Sequence, residues 1–210
     1  MKTEKKILSK EVISWAFYDW ANSAFATTVI AGFFPIFFKS FWANSLSDSE
    51  STALLGVANS LSGFFILIFA PFLGALADIT FRKKYMLVFF MLIGAGSTAS
   101  FFFINEGYWM IAVITYILAS IGFSGGNIFY DSLIIDVSND QSRNKVSAFG
   151  YAMGYLGGGI LFVVNVLMYL QPNTFGLTSQ IDAVLFSFLS VAIWWSVFTL
   201  PLIKFVKESK

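Results

Sequence analysis

The sequence predicts an all-α polytopic membrane protein with six transmembrane helices. Six apolar stretches are each about long enough to cross a bilayer, for which a helix needs roughly 20 residues. Hydrophobic residues make up 57% of the chain, charged residues make up 12%, and the mean hydropathy is +0.75. These values do not suit a soluble domain of this size. We therefore expect residues 1–210 to form a single transmembrane domain.

The six predicted helices follow one another with short connections. They cover about 13–38, 54–77, 85–104, 109–129, 146–170 and 183–205, after a cytoplasmic tail of residues 1–12. Asp19 interrupts the first apolar stretch, and hydrophobic sequence continues well past any plausible cleavage point. This helix is therefore expected to remain as an anchor and not to leave as a signal peptide. The longest loops, around 39–52 and 171–182, are too short to fold alone.

Basic residues flank the apolar stretches in order and predict the orientation. If the amino terminus is cytoplasmic, the inner segments hold twelve of the 13 basic residues: Lys2, Lys5, Lys6, Lys10, Arg82, Lys83, Lys84, Arg143, Lys145, Lys204, Lys207 and Lys210. Lys39 alone then lies outside. Because cytoplasmic loops carry an excess of Lys and Arg, we expect both termini in the cytoplasm. The expected location is a bacterial cell (inner) membrane, with the lipid bilayer as partner.

The residue types that are missing exclude several function classes. The chain has no Cys and no His, so a disulfide framework, a thiolate metal site and the usual general bases are all absent. No phosphate-binding loop or nucleophile elbow is present either. We therefore expect no enzyme activity, no catalytic residues, no cofactor and no metal. Nucleic-acid binding has no support beyond basic residues that the topology already explains.

A polar segment follows the second apolar stretch and reads Gly74-Ala75-Leu76-Ala77-Asp78-Ile79-Thr80-Phe81-Arg82-Lys83-Lys84. Gly74 lets two helices approach closely, and Asp78 ends a helix beside basic residues with which it can pair. Such a pair can hold one conformation, so Gly74, Asp78, Arg82 and Lys83 are candidates for a cytoplasmic gate. The alternative is that the three basic residues only set the topology.

The same segment resembles the signature loop of the major facilitator superfamily. The family pattern is Gly-x-Leu-Ala-Asp, a basic residue, a spacer, Gly and two basic residues. The matching positions are Gly74, Leu76, Ala77, Asp78, Arg82 and Lys83. Ile79 stands where a basic residue is usual, and Phe81 stands where Gly is usual. The resemblance favours the gate over the topological alternative.

Two further strings resemble one branch of this superfamily. They are Trp15-Ala16-Phe17-Tyr18-Asp19-Trp20-Ala21-Asn22-Ser23-Ala24-Phe25 in the first helix and Gly154-Tyr155-Leu156-Gly157-Gly158-Gly159 in the fifth. The branch includes fungal vacuolar amino-acid effluxers and many bacterial permeases. The resemblance covers the whole chain but only the amino-terminal half of the family's usual twelve helices. It implies half of a major facilitator fold, with a 3+3 inverted repeat that is not visible in the sequence.

An ionised carboxylate such as that of Asp19 has a high free-energy cost inside a membrane unless it faces water, a cation or a partner. Asp19, Asn22, Ser23, Ala26 and Thr27 follow helical spacing and form one polar or small stripe. We expect this stripe to face a cavity, where Asp19 carries a proton or binds a cationic group. The alternative is that Asp19 reaches headgroup water and only helps to pack the bundle.

The cytoplasmic end of the fourth helix brings a second acid to a similar depth. Asn127 and Asp131 lie there, and with Tyr18, Asp19 and Asn22 they form the predicted pathway for substrate or protons. The alternative is that Asp131 caps the helix or lies in headgroup water. Members of the superfamily often carry an Arg in the fourth helix that is linked to proton coupling, and none is present here.

Glycines form small-residue faces on two helices. Gly150, Gly154, Gly157 and Gly158 share a face of the fifth helix, and Gly56, Ser60 and Gly63 share one on the second. Small residues permit close contact between transmembrane helices, so these positions are predicted to be packing sites first and hinges only second.

The resemblance implies a secondary active transporter that moves a small solute, amino acids among the candidates, by alternating access. Such transporters bind solute between two six-helix halves, so this half supplies one wall of the site. A second six-helix half is therefore the expected partner, either another copy of the chain or a separate chain. The competing hypothesis is a truncated, non-transporting fragment or a membrane scaffold subunit.

Overall fold

The structure is a computed structural model that describes residues 8–80 and 82–208, with the backbone alone at 77–80. In these residues it contains helices and no strand. The six long helices are α1 (Lys10–Trp42), α2 (Asp48–Thr80), α3 (Lys83–Ser100), α4 (Trp109–Ser132), α5 (Arg143–Leu170) and α6 (Gln180–Phe205). All six are long and apolar enough to cross a membrane. The prediction of an all-α fold with six transmembrane helices is therefore confirmed.

Several helices begin earlier than the apolar stretches because polar residues cap them. The Ser9 hydroxyl accepts a hydrogen bond from the backbone of Val12 at 3.3 Å, so α1 begins at Lys10. Ser47 and Glu50 form a capping box in front of α2, with the Ser47 amide 2.8 Å from the Glu50 carboxylate. Hydropathy detects the membrane-crossing part of a helix and misses these polar first turns.

Helix α1 changes its winding along its length. Its first α-helical part ends at Ala24, π-helical turns occupy Phe25–Phe33 and Phe38–Trp42, and a short α-helical part, Phe34–Phe37, lies between them. The Thr27 hydroxyl bonds to the Ser23 carbonyl at 3.0 Å and to the Gly158 carbonyl of α5 at 3.2 Å. π-Helical turns are uncommon and frequently occur at functional sites. The irregular part of α1 begins within the polar stripe that carries Asp19, since Ala26 and Thr27 lie in the first π-helical segment.

The helices pack in a pattern that divides the bundle into two related units. The closest-packed pairs are α1–α5, α1–α6, α3–α4, α2–α4 and α3–α6. In this set α4 corresponds to α1, α5 to α2 and α6 to α3. When each helix is replaced by its counterpart, the same five pairs result. Because successive membrane helices joined by short loops alternate in direction, the second unit of three is inverted relative to the first. The packing therefore contains the 3+3 repeat that is not visible in the sequence.

Four of the five glycines of α5 lie against α1. A Cβ atom at Gly154 would sit 2.8 Å from the Asp19 carboxyl carbon, and one at Gly158 would sit 2.9 Å from the Ser23 carbonyl oxygen. Gly150 faces the Trp15 ring in the same way, and Gly157 faces the Trp20 carbonyl. Any larger residue would push the two helices apart.

The small residues of α2 behave differently. A Cβ atom at Gly56, Gly63 or Gly74 would meet nothing within 4 Å. The close helix contacts predicted for Gly74 and for this face of α2 are therefore not made within the part of the chain that the structure describes. Large side chains of α2 are exposed as well, including Leu67 at 73% and Phe72 at 70%. In a membrane protein this face lies against lipid or against another protein.

Two glycines of α5 offer a matched test of the α1–α5 contact. We expect Gly157→Ala to lower the free energy of unfolding by about 1–3 kcal/mol, because the new methyl overlaps the α1 backbone. Gly159→Ala places the same methyl in open space and should be neutral or slightly stabilising. Thermal unfolding of both variants in detergent measures the difference. Equal stability of the two variants would contradict the packing.

The orientation can be tested by labelling, because the chain has no native Cys. Ser45→Cys lies in the α1–α2 loop, and Gln141→Cys lies between α4 and α5. With both termini cytoplasmic, a membrane-impermeant maleimide should label the first variant in intact cells and the second only in inverted vesicles. Labelling of Gln141→Cys in intact cells would reverse the orientation.

Candidate functional site

A cavity of about 310 Å³ opens where α1, α4 and α5 meet. Its lining residues are Trp15, Asp19, Asn127, Tyr130, Asp131, Ile134, Ser147 and Tyr151. A second cavity of about 290 Å³ is lined by Asp19, Ser23, Ala26, Thr27, Phe123, Asn127, Tyr151, Gly154 and Tyr155. Three residues, Asp19, Asn127 and Tyr151, line both cavities, so the two form one continuous groove along α1.

The groove begins at one end of the bundle. Trp15 lies near the start of α1, Asp131 lies near the end of α4, and Ser147 lies near the start of α5. These three helix ends share one membrane face, which is the face predicted to be cytoplasmic. The polar stripe of α1 then extends the groove toward the middle of the bundle.

Asp19 is positioned by its own helix and by a glycine opposite. Its carboxylate accepts a hydrogen bond from the Ser23 hydroxyl, one turn later, at 3.0 Å. Gly154 of α5 leaves the space that the carboxylate occupies. Helical spacing places Asp19 on one face with Ser23, Ala26 and Thr27, and all four line the groove. The structure thus places the polar stripe of α1 along a cavity.

Two of the predicted pathway residues lie behind the cavity wall. Asn22 is buried and donates a hydrogen bond from its side-chain amide to the Asn127 carbonyl oxygen, which joins α1 to α4. Tyr18 is also fully buried, with its ring centroid 5.3 Å from that of Tyr130. Asn22 therefore orients a lining residue, Asn127, and Tyr18 supports another, Tyr130. Neither side chain lines the groove.

An aromatic wall that the sequence did not suggest completes the site. The rings of Trp15 and Tyr130 stack with centroids 4.3 Å apart, and the Trp15 indole donates to the Tyr130 carbonyl at 3.0 Å. Gly150 makes room for both side chains. Tyr151 and Tyr155 each follow a glycine that faces α1, and both are exposed. This glycine-tyrosine repeat is the signal that could have located them.

One predicted gate residue, Lys83, forms a buried ion pair with Asp136, which was not predicted to belong to the gate. The Lys83 ammonium lies 3.2 Å from the Asp136 carboxylate and 3.3 Å from the Ser132 carbonyl oxygen, and both charged side chains are buried. Arg82 precedes α3 and is exposed, and the side chain of Asp78 lies outside the described residues. Lys83 is therefore the predicted gate residue for which the described part of the chain shows an ion pair.

The start of α3 is also joined to the segment that follows α6. The backbone amides of Lys83 and Lys84 each donate to the Glu208 carboxylate at 2.9 Å. In return, the Lys84 ammonium donates to the Val206 carbonyl at 2.7 Å, at the end of α6. A carboxylate at the start of a helix and an ammonium group at the end of a helix both interact favourably with the helix dipole. The ends of α3, α4 and α6 are thus connected at one membrane face.

Comparison with known proteins identifies the family. The sequence profile described as "Vacuole effluxer Atg22 like" matches residues 46–137 and 135–210. The chain belongs to this family. The membership agrees with the branch that the strings in α1 and α5 resemble, and it confirms that resemblance.

The relatives of the Atg22-like chain are about twice its length. It is 38% identical over 205 residues to the uncharacterized MFS-type transporter YxiO of Bacillus subtilis, covering 97% of this chain and 48% of YxiO. It is 20% identical over 240 residues to autophagy-related protein 22 of Eremothecium gossypii, covering 93% of this chain and 46% of that protein. The chain therefore spans about half the length of these relatives.

Solved structures show the same fold. The inward-open conformation of the xylose transporter XylE from E. coli matches with a TM-score of 0.63 at 20% identity, covering 95% of this chain and 47% of XylE. A D-xylose-proton symporter matches with a TM-score of 0.61 at 21% identity, over the same shares of the two chains. At these identities the likeness establishes the fold and says nothing about the solute.

The buried ion pair gives a direct stability test. We expect Lys83→Met to lower the free energy of unfolding by about 3–5 kcal/mol, because it removes the ammonium partner of a buried carboxylate. Arg82→Met is the matched control, since the neighbouring Arg82 is exposed and its loss should cost less than about 1 kcal/mol. Chemical unfolding in detergent compares them. An equal loss for both variants would contradict the assignment of Lys83 as the paired residue.

Proposed function

We propose that this chain forms one six-helix half of a secondary active transporter that moves a small solute by alternating access. The observation that carries the proposal is the groove along α1, where Asp19 lies among polar and aromatic side chains inside a transmembrane bundle. Asp19 is half-buried, and an intramembrane acid that faces a cavity is typical of substrate and ion pathways. Family membership and the major facilitator fold support the same function.

The groove supplies one wall of the proposed pathway. In this fold the solute lies between two six-helix halves near the middle of the membrane. Tyr151 and Tyr155 are 65% and 80% exposed and point away from the bundle core, as residues of a shared wall would. The proposed partner is a second six-helix body, contributed by the same polypeptide, by another copy or by a separate chain. The proposed location is the cell membrane, with both termini cytoplasmic.

Lys83 and Asp136 are the proposed gate. Their ion pair joins the start of α3 to the segment after α4, and α4 carries Asn127 and Asp131 of the groove. Movement of α4 during alternating access would therefore strain or break this ion pair. Asp78 and Arg82 belong to the proposed gate through their resemblance to the signature loop.

Amino acids are the proposed solutes. The family is described as effluxer-like, and an amino acid carries an ammonium group that a carboxylate such as Asp19 can pair with. The neutral aromatic lining leaves room for side chains of varied shape.

A transport assay tests the role of Asp19. We expect Asp19→Asn to lower the rate of uptake of labelled amino acids into proteoliposomes by about 10- to 100-fold, because a charge-assisted interaction is lost. The assay uses the complete polypeptide that contains this chain. Asp140→Asn is the control, since it makes the same change on an exposed loop. Normal uptake by Asp19→Asn, or no uptake of any amino acid by the unmodified protein, would contradict the proposal.

A further inference from the structure

A groove of about 350 Å³ lies between α3 and α6, apart from the candidate site. Its lining residues are Leu92, Ala95, Gly96, Ala99, Leu189, Ala192, Ile193, Ser196 and Val197. The Ser196 hydroxyl donates to the Ala192 carbonyl of its own helix at 2.8 Å, so it offers the groove no free donor. None of these residues lines the groove along α1. This α3–α6 groove is therefore separate from the candidate site and apolar.

The α3–α6 groove opens toward lipid. On the inner side the two helices touch, because a Cβ atom at Gly94 would overlap the Trp195 ring. On the outer side they diverge, and a Cβ atom at Gly96 would meet nothing within 4 Å. Leu92 and Ile193, which line the groove, are 60% and 56% exposed. Water finds no hydrogen-bonding partner in such a groove within the membrane, so hydrocarbon is the occupant that fits it.

Basic residues stand at one end of the same two helix faces. Lys84 lies about three helical turns before Ala95 on α3, and Lys204 lies about three turns after Ile193 on α6. The Lys84 ammonium donates to the Ile203 carbonyl at 3.4 Å, so the two helix ends adjoin. About 10–12 Å of helix separates this end from the groove, and the hydrocarbon of one leaflet is about 15 Å thick. A lipid with its headgroup at this end therefore has an acyl chain within reach of the groove.

The basic end of the α3–α6 groove carries a net positive charge, apart from the buried ion pair of the gate. Arg82, Lys204 and Lys207 are exposed and form no ion pair within the described residues. Lys84 adds another positive charge. Glu208 supplies one negative charge there, and its carboxylate accepts hydrogen bonds from the first backbone amides of α3. Basic residues between the ends of membrane helices attract anionic headgroups.

The same charge argues against a second copy of the chain as the occupant. Copies in one membrane share one orientation, so a symmetric pair on this groove would bring two basic ends to the same depth. Like charges facing each other disfavour such a contact. The second six-helix half is proposed at the groove along α1, whose lining contains no residue of α3 or α6. An anionic phospholipid matches both the apolar groove and its basic end.

We propose that the α3–α6 groove binds an anionic phospholipid, with one acyl chain in the groove and the phosphate group beside Lys84 and Lys204. The Lys84 ammonium already donates to the carbonyls of Ile203 and Val206 and has a third N–H to give to the phosphate. The bound lipid joins the start of α3 to the end of α6. Because this site shares no lining residue with the groove along α1, its test is independent of the transport assay.

Three probes separate the headgroup from the acyl chains. They are palmitoyl-oleoyl phosphatidylglycerol, phosphatidylcholine with the same chains, and glycerol phosphate, each added to the full chain in a mild detergent and measured as bound adducts by native mass spectrometry. We expect phosphatidylglycerol to bind at least about 10-fold more tightly than phosphatidylcholine, because several basic side chains attract its net negative charge. Glycerol phosphate should not bind at the same concentrations. Equal affinity for the two lipids, or equal affinity for phosphatidylglycerol and glycerol phosphate, would overturn the proposal.

A charge variant tests the basic end. We expect Lys204→Gln to weaken the binding of phosphatidylglycerol by about 5-fold and to leave that of phosphatidylcholine unchanged. Lys145→Gln is the matched control, since Lys145 is exposed at the start of α5 and does not line the α3–α6 groove. The same loss in both variants would mean that the lipid responds only to total charge, and the proposed site would fail.

A second variant tests the groove itself. Gly96→Leu fills the α3–α6 groove, so it should weaken the binding of both lipids by about 3- to 10-fold and preserve the preference for phosphatidylglycerol. Gly159→Leu makes the same change in open space on α5 and should leave lipid binding unchanged. Unfolding temperatures without added lipid check that both variants fold. Unaltered lipid binding by Gly96→Leu would overturn the proposal, as would a dimer that this substitution dissociates, because a second copy would then occupy the groove.

Discussion

Close contact between α1 and α5 is the constraint on which the candidate site depends. Transmembrane helices gain little from burying apolar surface against one another, so they associate through close packing and hydrogen bonds. Gly154 and Gly158 bring the α5 backbone against α1, and the Thr27 hydroxyl bonds across to the Gly158 carbonyl. Gly154 also leaves the space that the Asp19 side chain occupies beside the cavity. A bulkier face on α5 would remove the packing and close the groove.

The charged residues of the bundle divide into two groups with different surroundings. Lys83 and Asp136 neutralise each other in a buried pair, and Glu208 caps the start of α3 beside them. No Lys or Arg stands among the described residues that line the cavity of Asp19 and Asp131. The first arrangement holds helix ends together, whereas the second leaves negative charge facing a space that a solute can enter. The charges of Lys83 and Asp136 are buried and paired, whereas Asp19 is half-buried and Asp131 is exposed.

The sequence was sufficient for the helices and for the acids of the groove, because hydropathy and helical spacing are local properties. Three of the residues that it predicted for the pathway, Asp19, Asn127 and Asp131, line the groove. It could not separate these lining residues from Tyr18 and Asn22. Which face of α1 borders the cavity depends on how α4 and α5 pack against it. Lys83 finds its partner 53 positions away, at a distance that no local pattern reports. A Cβ atom at Gly56, Gly63 or Gly74 would meet no other described residue within 4 Å, although α2 itself packs against α4.

Native mass spectrometry of the complex that contains this chain, released from its own membrane in a mild detergent, tests the central claim most directly. The claim is that the groove along α1 is one wall of a pathway whose other wall belongs to a second six-helix body. A complex with twelve transmembrane helices, from one longer polypeptide, two copies or two different chains, is the predicted result. A six-helix monomer that stays folded and alone would contradict the claim and favour a fragment or scaffold.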